Sequence, residues 1–208
     1  MNDTRTGASV QLELLEPLFN AATHEASAAM CRWTKGRITL SLDEVRELPL
    51  EEVCQELNIA DQLLTMVVLS LDGTLGGEMI LVFDEPNARE LAASLLRQPV
   101  GPSEEWSELE RSALTETGNI LGCAYVNALT RLMNRELMPS PPYFVQDYGA
   151  SVLSQALAVQ AESCEGLLLG RTQFCREGQV LDWSVIFVPS VAMREALEYA
   201  ARTVVGST

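Results

Sequence analysis

A carboxylate and a carboxamide lie close together in a stretch of the chain that has the periodicity of a helix. Ser112, Glu116 and Asn119 occur at i, i+4 and i+7. Since a helix turns by about 100° per residue, these side chains would share one stripe. A carboxamide both donates and accepts hydrogen bonds and never titrates, which suits it to orienting a polar group. Polar residues on an exposed helix surface are also commonplace, so the spacing alone fits either interpretation.

The same stretch carries an apolar side and two glycines. Its apolar residues recur at helical spacing: Leu114, Ile120, Leu121, Tyr125 and Leu129. Gly118 and Gly122 are four residues apart, and each costs about 1 kcal/mol relative to alanine inside a helix. We expect close packing against another element to offset that cost.

A longer pattern extends from this helix to a proline. Ser112, Glu116, Asn119 and Pro142 follow the order Ser, three residues, Glu, two residues, Asn, twenty-two residues, Pro. This pattern resembles the signature of the CheC/CheX/FliY family of chemotaxis phosphatases, whose first position is Asp or Ser. The resemblance implies a phosphatase that hydrolyses the aspartyl phosphate of a CheY-like response regulator.

The resemblance also implies a role for each residue of the pattern. Asn119 would orient the attacking water, and Glu116 would pair with the active-site lysine of the regulator. Ser112 would support them, and Pro142 would shape the turn beneath the site. The regulator would carry Mg²⁺, so this chain would bind no cofactor and no metal of its own. Some relatives also bind a CheD-like receptor deamidase.

The charge of the chain excludes several classes of partner. Its 208 residues include 29 acidic and 14 basic side chains, for a formal net charge of -15. This balance argues against nucleic-acid binding, which needs a basic patch, and against docking on anionic lipid. A basic surface on a protein partner would be attracted over a long range.

Cysteine usage indicates reduced thiols in a cytoplasmic protein. The five cysteines are widely spaced, with no CxxC pair and no Cys/His cluster of metal-ligand spacing. Cys31, Cys123 and Cys175 lie in apolar contexts and are expected to be small core residues. The single histidine, His24, is expected to be packed or on the surface. No apolar run is long enough for a membrane span, and no export signal precedes the first helix.

Periodicity predicts five elements and a closing helix in the first half. They are a helix at Gln11–Thr34, a strand at Arg37–Leu42, a short helix at Leu50–Leu57, strands at Leu63–Leu71 and Gly77–Phe83, and a helix at Asn87–Arg97. Pro17 is expected in the first turn or at a kink of the first helix, and Gly36 after its end. Asn87 or Asp84 would cap the closing helix, and 98–103 would be a linker.

The second half repeats this order. A long helix capped by Ser103 would run to about Arg135 and be stopped by Pro139 and the prolines after it. The remaining predicted elements are a strand at Tyr143–Tyr148, a short helix or turn at Val152–Ala158, a hairpin of Gly166–Cys175 with Gln179–Val188, and a helix at Val191–Val204.

The repeated order predicts an internal duplication. Residues 11–98 and 103–204 would each form helix, strand, helix, hairpin and helix, within one domain of 1–208. We therefore expect an α+β fold with one continuous β-sheet covered by long helices and a pseudo-twofold between the halves. The alternative is that two α+β halves look alike because such patterns are common.

The first copy of the motif is degenerate. Asn20 matches Asn119, but Pro17 occupies the acid position and Asp43 the proline position. Glu16 precedes Asn20 by four residues, so it lies on nearly the same helical face and would substitute for the missing acid only in part. We expect this first site to be weakly active or silent.

Two other functions fit parts of the pattern. One is a non-catalytic adaptor that binds CheD or a response regulator. A flagellar-switch role is disfavoured, because switch-type relatives carry a further C-terminal domain and this sequence ends at Thr208. The other is an unrelated α+β enzyme, but no GxSxG, P-loop or GxGxxG motif is present. The glycine-rich run 73–77 lies in a predicted hairpin turn and does not open a helix.

Overall fold

The computed structural model describes residues 4–57, 63–72, 75–101, 105–159, 167–176 and 179–205. Within these ranges the chain forms six helices and seven strands. The helices are α1 (Thr4–Thr34), α2 (Leu50–Glu56), α3 (Glu85–Leu96), α4 (Glu108–Met133), α5 (Gly149–Val159) and α6 (Val191–Val205). The strands are β1 (Ile38–Leu48), β2 (Leu63–Asp72), β3 (Gly77–Phe83), β4 (Met138–Pro139), β5 (Tyr143–Tyr148), β6 (Leu167–Arg176) and β7 (Gln179–Pro189).

All seven strands belong to one antiparallel sheet. Its order is β1, β6, β7, β3, β2, with β4 and β5 both pairing with β2 at the far edge. The hairpin of the second half therefore lies between β1 and the hairpin of the first half. When each strand is exchanged for its counterpart in the other half (β1 with β5, β2 with β6, β3 with β7), the order β1-β6-β7-β3-β2-β5 reads the same from the opposite edge. This is the symmetry expected of a pseudo-twofold axis at the β3–β7 pair. The predicted α+β fold with one continuous sheet is confirmed, while the exact repeat boundaries stay a prediction.

The sheet separates two apolar cores because successive side chains of a strand point to opposite faces. On β2, Val67 and Leu69 face the larger core, which α1, α3, α4 and α6 cover. Met66 and Val68 face the smaller core, which α2 and α5 cover. The long helices therefore lie together on one face of the sheet.

Helix α4 begins and ends at residues that satisfy its terminal backbone groups. Ser107 accepts from the Glu110 N–H, and the Glu110 carboxylate accepts from the Ser107 N–H, which is a capping box. At the other end Asn134 adopts the left-handed conformation at φ 51°. The expected cap at Ser103 is wrong, because the helix begins after Ser107; Ser103 itself lies outside the described residues. The helix also ends at Asn134, before it reaches Pro139.

The first helix is longer than its sequence pattern indicates. Because α1 begins at Thr4, Pro17 lies within it and not in its first turn. It ends as predicted before Gly36, whose φ of +83° suits glycine and whose N–H bonds to the Cys31 carbonyl. Strand β1 also runs beyond Leu42 to Leu48, past an irregularity between Leu42 and Glu44.

The other predicted elements are confirmed within a few residues at their ends. Strands β3 and β5 have the predicted bounds, and Asp84 is the N-cap of α3, accepting from the Asn87 N–H at 2.7 Å. The short strand β4 was not predicted. Among the described helices, none is both long enough and apolar enough to span a membrane.

Candidate functional site

Helix α4 presents the sequence motif on the side that faces away from the core. Ser112 and Glu116 are exposed and Asn119 is half-buried. On the opposite side of the helix, Leu121 and Tyr125 are buried in the larger core. The carboxylate and the carboxamide thus lie three residues apart on an accessible helix surface.

The two glycines bring α4 directly onto β2. A Cβ built on Gly118 would lie 2.3 Å from Cγ1 of Val67, and one on Gly122 would lie 2.3 Å from Cδ2 of Leu69. Real Cβ atoms do not approach other atoms so closely. The expected close packing is confirmed, and it explains why this helix tolerates two residues of poor helix propensity.

A buried hydrogen bond fixes the rotation of α4 about its axis. The hydroxyl of Tyr125 lies 2.6 Å from Oγ1 of Thr23 on α1, and both side chains are buried. Burial raises the pKa of the Tyr125 phenol, so it stays protonated. Since Tyr125 is anchored in the core, the motif on the other side of α4 is held toward the outside.

The start of α4 is held against α3 by an arginine. The guanidinium of Arg89 lies 3.9 Å from the centre of the Trp106 ring and forms ion pairs with Glu85 at 3.1 Å and Glu110 at 3.4 Å. Partial burial acts to raise the pKa of Glu110, but hydrogen bonds from Ser107 and the charge of Arg89 outweigh it and lower that pKa. The first turn of α4 is therefore rigidly supported.

Cys123 lies next to the motif carboxamide. Its thiol donates a hydrogen bond to Oδ1 of Asn119, with 3.6 Å between sulfur and oxygen. Burial and the charge of Glu116 both raise the pKa of the thiol. In the part of the chain that the structure describes, no arginine or lysine forms an ion pair with Glu116.

Pro142 lies at the sheet edge beside α4. The β2–β5 register pairs Val68 with Tyr143, and its continuation by one residue leads from Pro142 to Leu69, the residue beneath Gly122. Two hydrogen bonds hold the preceding chain: Ser140 N–H donates to the Ser70 carbonyl at 2.8 Å, and Ser70 N–H donates to Oγ of Ser140 at 3.0 Å. The proline is half-buried, and its expected role in shaping the chain beneath the site stays a prediction.

The first copy of the motif lies on α1. Glu16, Pro17, Asn20 and His24 are all exposed there. Glu16 and Asn20 are four residues apart on a continuous helix, so they share a face. The two copies of the motif thus occupy different helices, and the first offers a proline at the acid position.

Two residues beside the motif on α4, Cys123 and Leu109, were not identified from the sequence pattern. The expectation of three core cysteines is wrong, because Cys31 and Cys123 are only half-buried and Cys175 is exposed. Leu109 in the first turn of α4 is 55% exposed. It lies three residues before Ser112 and seven before Glu116, so it extends the same stripe. The i, i+4 spacing of Asn119 and Cys123 was the available signal for the thiol.

Comparison by sequence finds similarity to chemotaxis phosphatases. No protein-family profile matches the chain. The CheY-P phosphatase CheC of Bacillus subtilis is 27% identical over 149 residues, which cover 71% of each chain. A putative CheY-P phosphatase CheC1 of Halobacterium salinarum is 20% identical over 147 residues.

Comparison by structure finds the same fold in three kinds of protein. FliY of Thermotoga maritima aligns with a TM-score of 0.74 at 18% identity, covering 93% of this chain and 96% of that one. The FliM middle domain of H. pylori aligns at 0.66 and 15% identity, covering 90% and 97%. CheX from a CheX–CheY–BeF3–Mg²⁺ complex of Borrelia burgdorferi aligns at 0.51 and 19% identity, covering 84% and 96%.

Proposed function

Since the chain is homologous to CheC and has the fold of FliY and CheX, we propose that it hydrolyses the aspartyl phosphate of a CheY-like response regulator. The observation that carries the proposal is the accessible pair on α4. Glu116 is exposed and Asn119 is half-buried beside it, on a helix whose opposite side is anchored in the core.

Asn119 orients the attacking water. Hydrolysis of an acyl phosphate needs a water in line with the departing carboxylate oxygen, and positioning supplies most of the catalysis of phosphoryl transfer. A carboxamide can hold such a water by donating or accepting, and its state does not change with pH. The close contact of Gly118 with Val67 fixes the height of the adjoining Asn119 above the sheet.

Glu116 docks the helix on the regulator. Its carboxylate is exposed and unpaired within the described residues, so it can form an ion pair with the regulator's active-site lysine. Ser112 lies one turn earlier on the same face and supports this contact. Leu109, another turn toward the N-terminus, adds an exposed apolar contact at the rim.

The partner brings the metal ion. Mg²⁺ on the regulator would neutralise charge on the phosphoryl oxygens, and this chain contributes the helix that carries Asn119. Pro142 acts below the site by supporting the sheet edge next to β2, and it does not touch the phosphoryl group. The Glu16–Asn20 pair is weakly active or silent, because Pro17 replaces the acid.

A binding module without catalysis is the second candidate. The observation behind it is the shared fold of the FliM middle domain, which aligns with a TM-score of 0.66, as does a FliG–FliM complex of H. pylori. Such a module would use the same outward face of α4 to bind its partner. It would leave the lifetime of the phosphoryl group unchanged.

Phosphate release separates the two candidates. A CheY-like receiver domain is phosphorylated with a small acyl phosphate in the presence of Mg²⁺, and inorganic phosphate is followed with and without the purified chain. The proposed enzyme accelerates release at substoichiometric amounts of the chain. Binding to the phosphorylated receiver without acceleration would favour the module instead.

A further inference from the structure

We propose that Cys123 is a positioning residue for Asn119, and that its thiol determines which end of the carboxamide faces the docked partner. The inference rests on the proposed phosphatase function. Cys123 itself touches neither substrate nor water, and it acts through the hydrogen bond from Sγ to Oδ1.

The geometry of α4 brings the two side chains together. Residues four apart in a helix lie on one face, and the distance from sulfur to Oδ1 is 3.6 Å. Both side chains are half-buried, so the contact is partly shielded from competing water. Among the described residues, no other side chain is hydrogen-bonded to Asn119.

The chemistry of the thiol selects one orientation of the amide. The terminal torsion of asparagine is broad, so the helix backbone alone does not choose between its oxygen and its nitrogen. A neutral thiol is a hydrogen-bond donor, and a sulfur is a weak acceptor. The thiol therefore engages Oδ1 and leaves the Nδ2 amino group directed away from it, where it can donate to the water or to a phosphoryl oxygen.

The surroundings keep the thiol in the donor state. Partial burial raises its pKa, and the nearby Glu116 carboxylate raises it further. A thiolate has no hydrogen to donate, so the raised pKa keeps the thiol in its donor form to a higher pH than that of an ordinary cysteine.

The Cys123→Ala variant tests the inference, with Cys31→Ala as the control. Cys31 is also half-buried, but it lies on α1. We expect Cys123→Ala to lower kcat for phosphate release about fivefold and to leave KM for the receiver unchanged. A fivefold change in rate corresponds to about 1 kcal/mol, which is the typical contribution of one hydrogen bond. Cys31→Ala should leave both constants unchanged. In an Asn119→Ala background, Cys123→Ala should have no further effect.

A spectroscopic readout makes the test independent of activity. The side-chain ¹⁵N–¹H₂ signals of Asn119, assigned by their loss in Asn119→Ala, should show a lower order parameter in Cys123→Ala than in the wild type. An unchanged order parameter, or full kcat in Cys123→Ala, would overturn the positioning role. A different result is also informative: the wild type releases no phosphate, while the Asn119 order parameter still falls in Cys123→Ala. That result would reject the phosphatase function but leave the positioning contact established.

Discussion

Gly118 of α4 lies so close to Val67 of β2 that a Cβ at Gly118 would be 2.3 Å from Cγ1 of the valine. The contact joins the helix that carries the motif to β2, a strand with paired neighbours on both sides. It also lies one residue before Asn119, so it sets the position of the carboxamide.

Gly118→Ala should destabilise the fold although alanine is the better helix former. The gain of about 1 kcal/mol in helix propensity is outweighed by overpacking, which typically costs 1–3 kcal/mol. Valine is stiff at χ1 and cannot move aside easily. Gly122→Ala is the matched comparison, because it meets the end of the more flexible Leu69 side chain and should cost less. Denaturant unfolding measures both, and equal stability of Gly118→Ala and the wild type would contradict the packing argument.

Asn119→Ala should reduce phosphate release from a phosphorylated receiver by at least about a hundredfold, because the water loses its orienting group. Asn127→Ala is the control, since Asn127 is an exposed asparagine two turns further along α4. Both variants should unfold at the same denaturant concentration as the wild type. Full activity in Asn119→Ala would remove the assignment.

Glu116→Lys should weaken binding to the phosphorylated receiver about tenfold or more, because a lysine would face the lysine of the partner. Glu136→Lys makes the same charge change at an exposed position beyond the end of α4 and should have a small effect. Titration calorimetry with a stable phosphoryl mimic on the receiver measures both affinities. Equal affinities for the two variants would show that Glu116 is only a surface residue.

Replacing the first copy of the motif should leave activity almost intact. Glu16→Ala combined with Asn20→Ala removes both exposed polar groups from α1, where Pro17 already replaces the acid. We expect phosphate release within about twofold of the wild type. A loss as large as that of Asn119→Ala would mean that the first site is the active one.

The capping box at the start of α4 should make stability depend on pH. The pKa of Glu110 is lowered in the fold, so its charged form contributes stability above its unfolded pKa of about 4.3, and that contribution is lost as the pH falls through the lower folded pKa. Glu110→Gln keeps the cap but removes the charge. It should be less stable than the wild type by about 0.3–1 kcal/mol at pH 7, and the difference should vanish near pH 2. A constant difference across that range would contradict the charge effect.

Local pattern was sufficient to predict the type and order of most elements. The short apolar run of β3 and the periodicity of α4 are properties of neighbouring residues, so they are visible in the sequence. The residues at which these elements begin and end were harder to predict. Ser103 and Ser107 both have the side chain of an N-cap, but only Ser107 is followed three residues later by a glutamate, Glu110, and this capping-box spacing was the signal in the sequence.

The sequence by itself determined the motif stripe of Ser112, Glu116 and Asn119, because spacing along a helix is enough to place residues on one face. Tertiary structure alone decided that this stripe faces outward. The contact of Gly118 with Val67 and the bond of Tyr125 to Thr23 join residues that are distant in the chain. Strand order, too, follows from pairing between the two halves, since long-range contacts are selected by burial and not by local propensity.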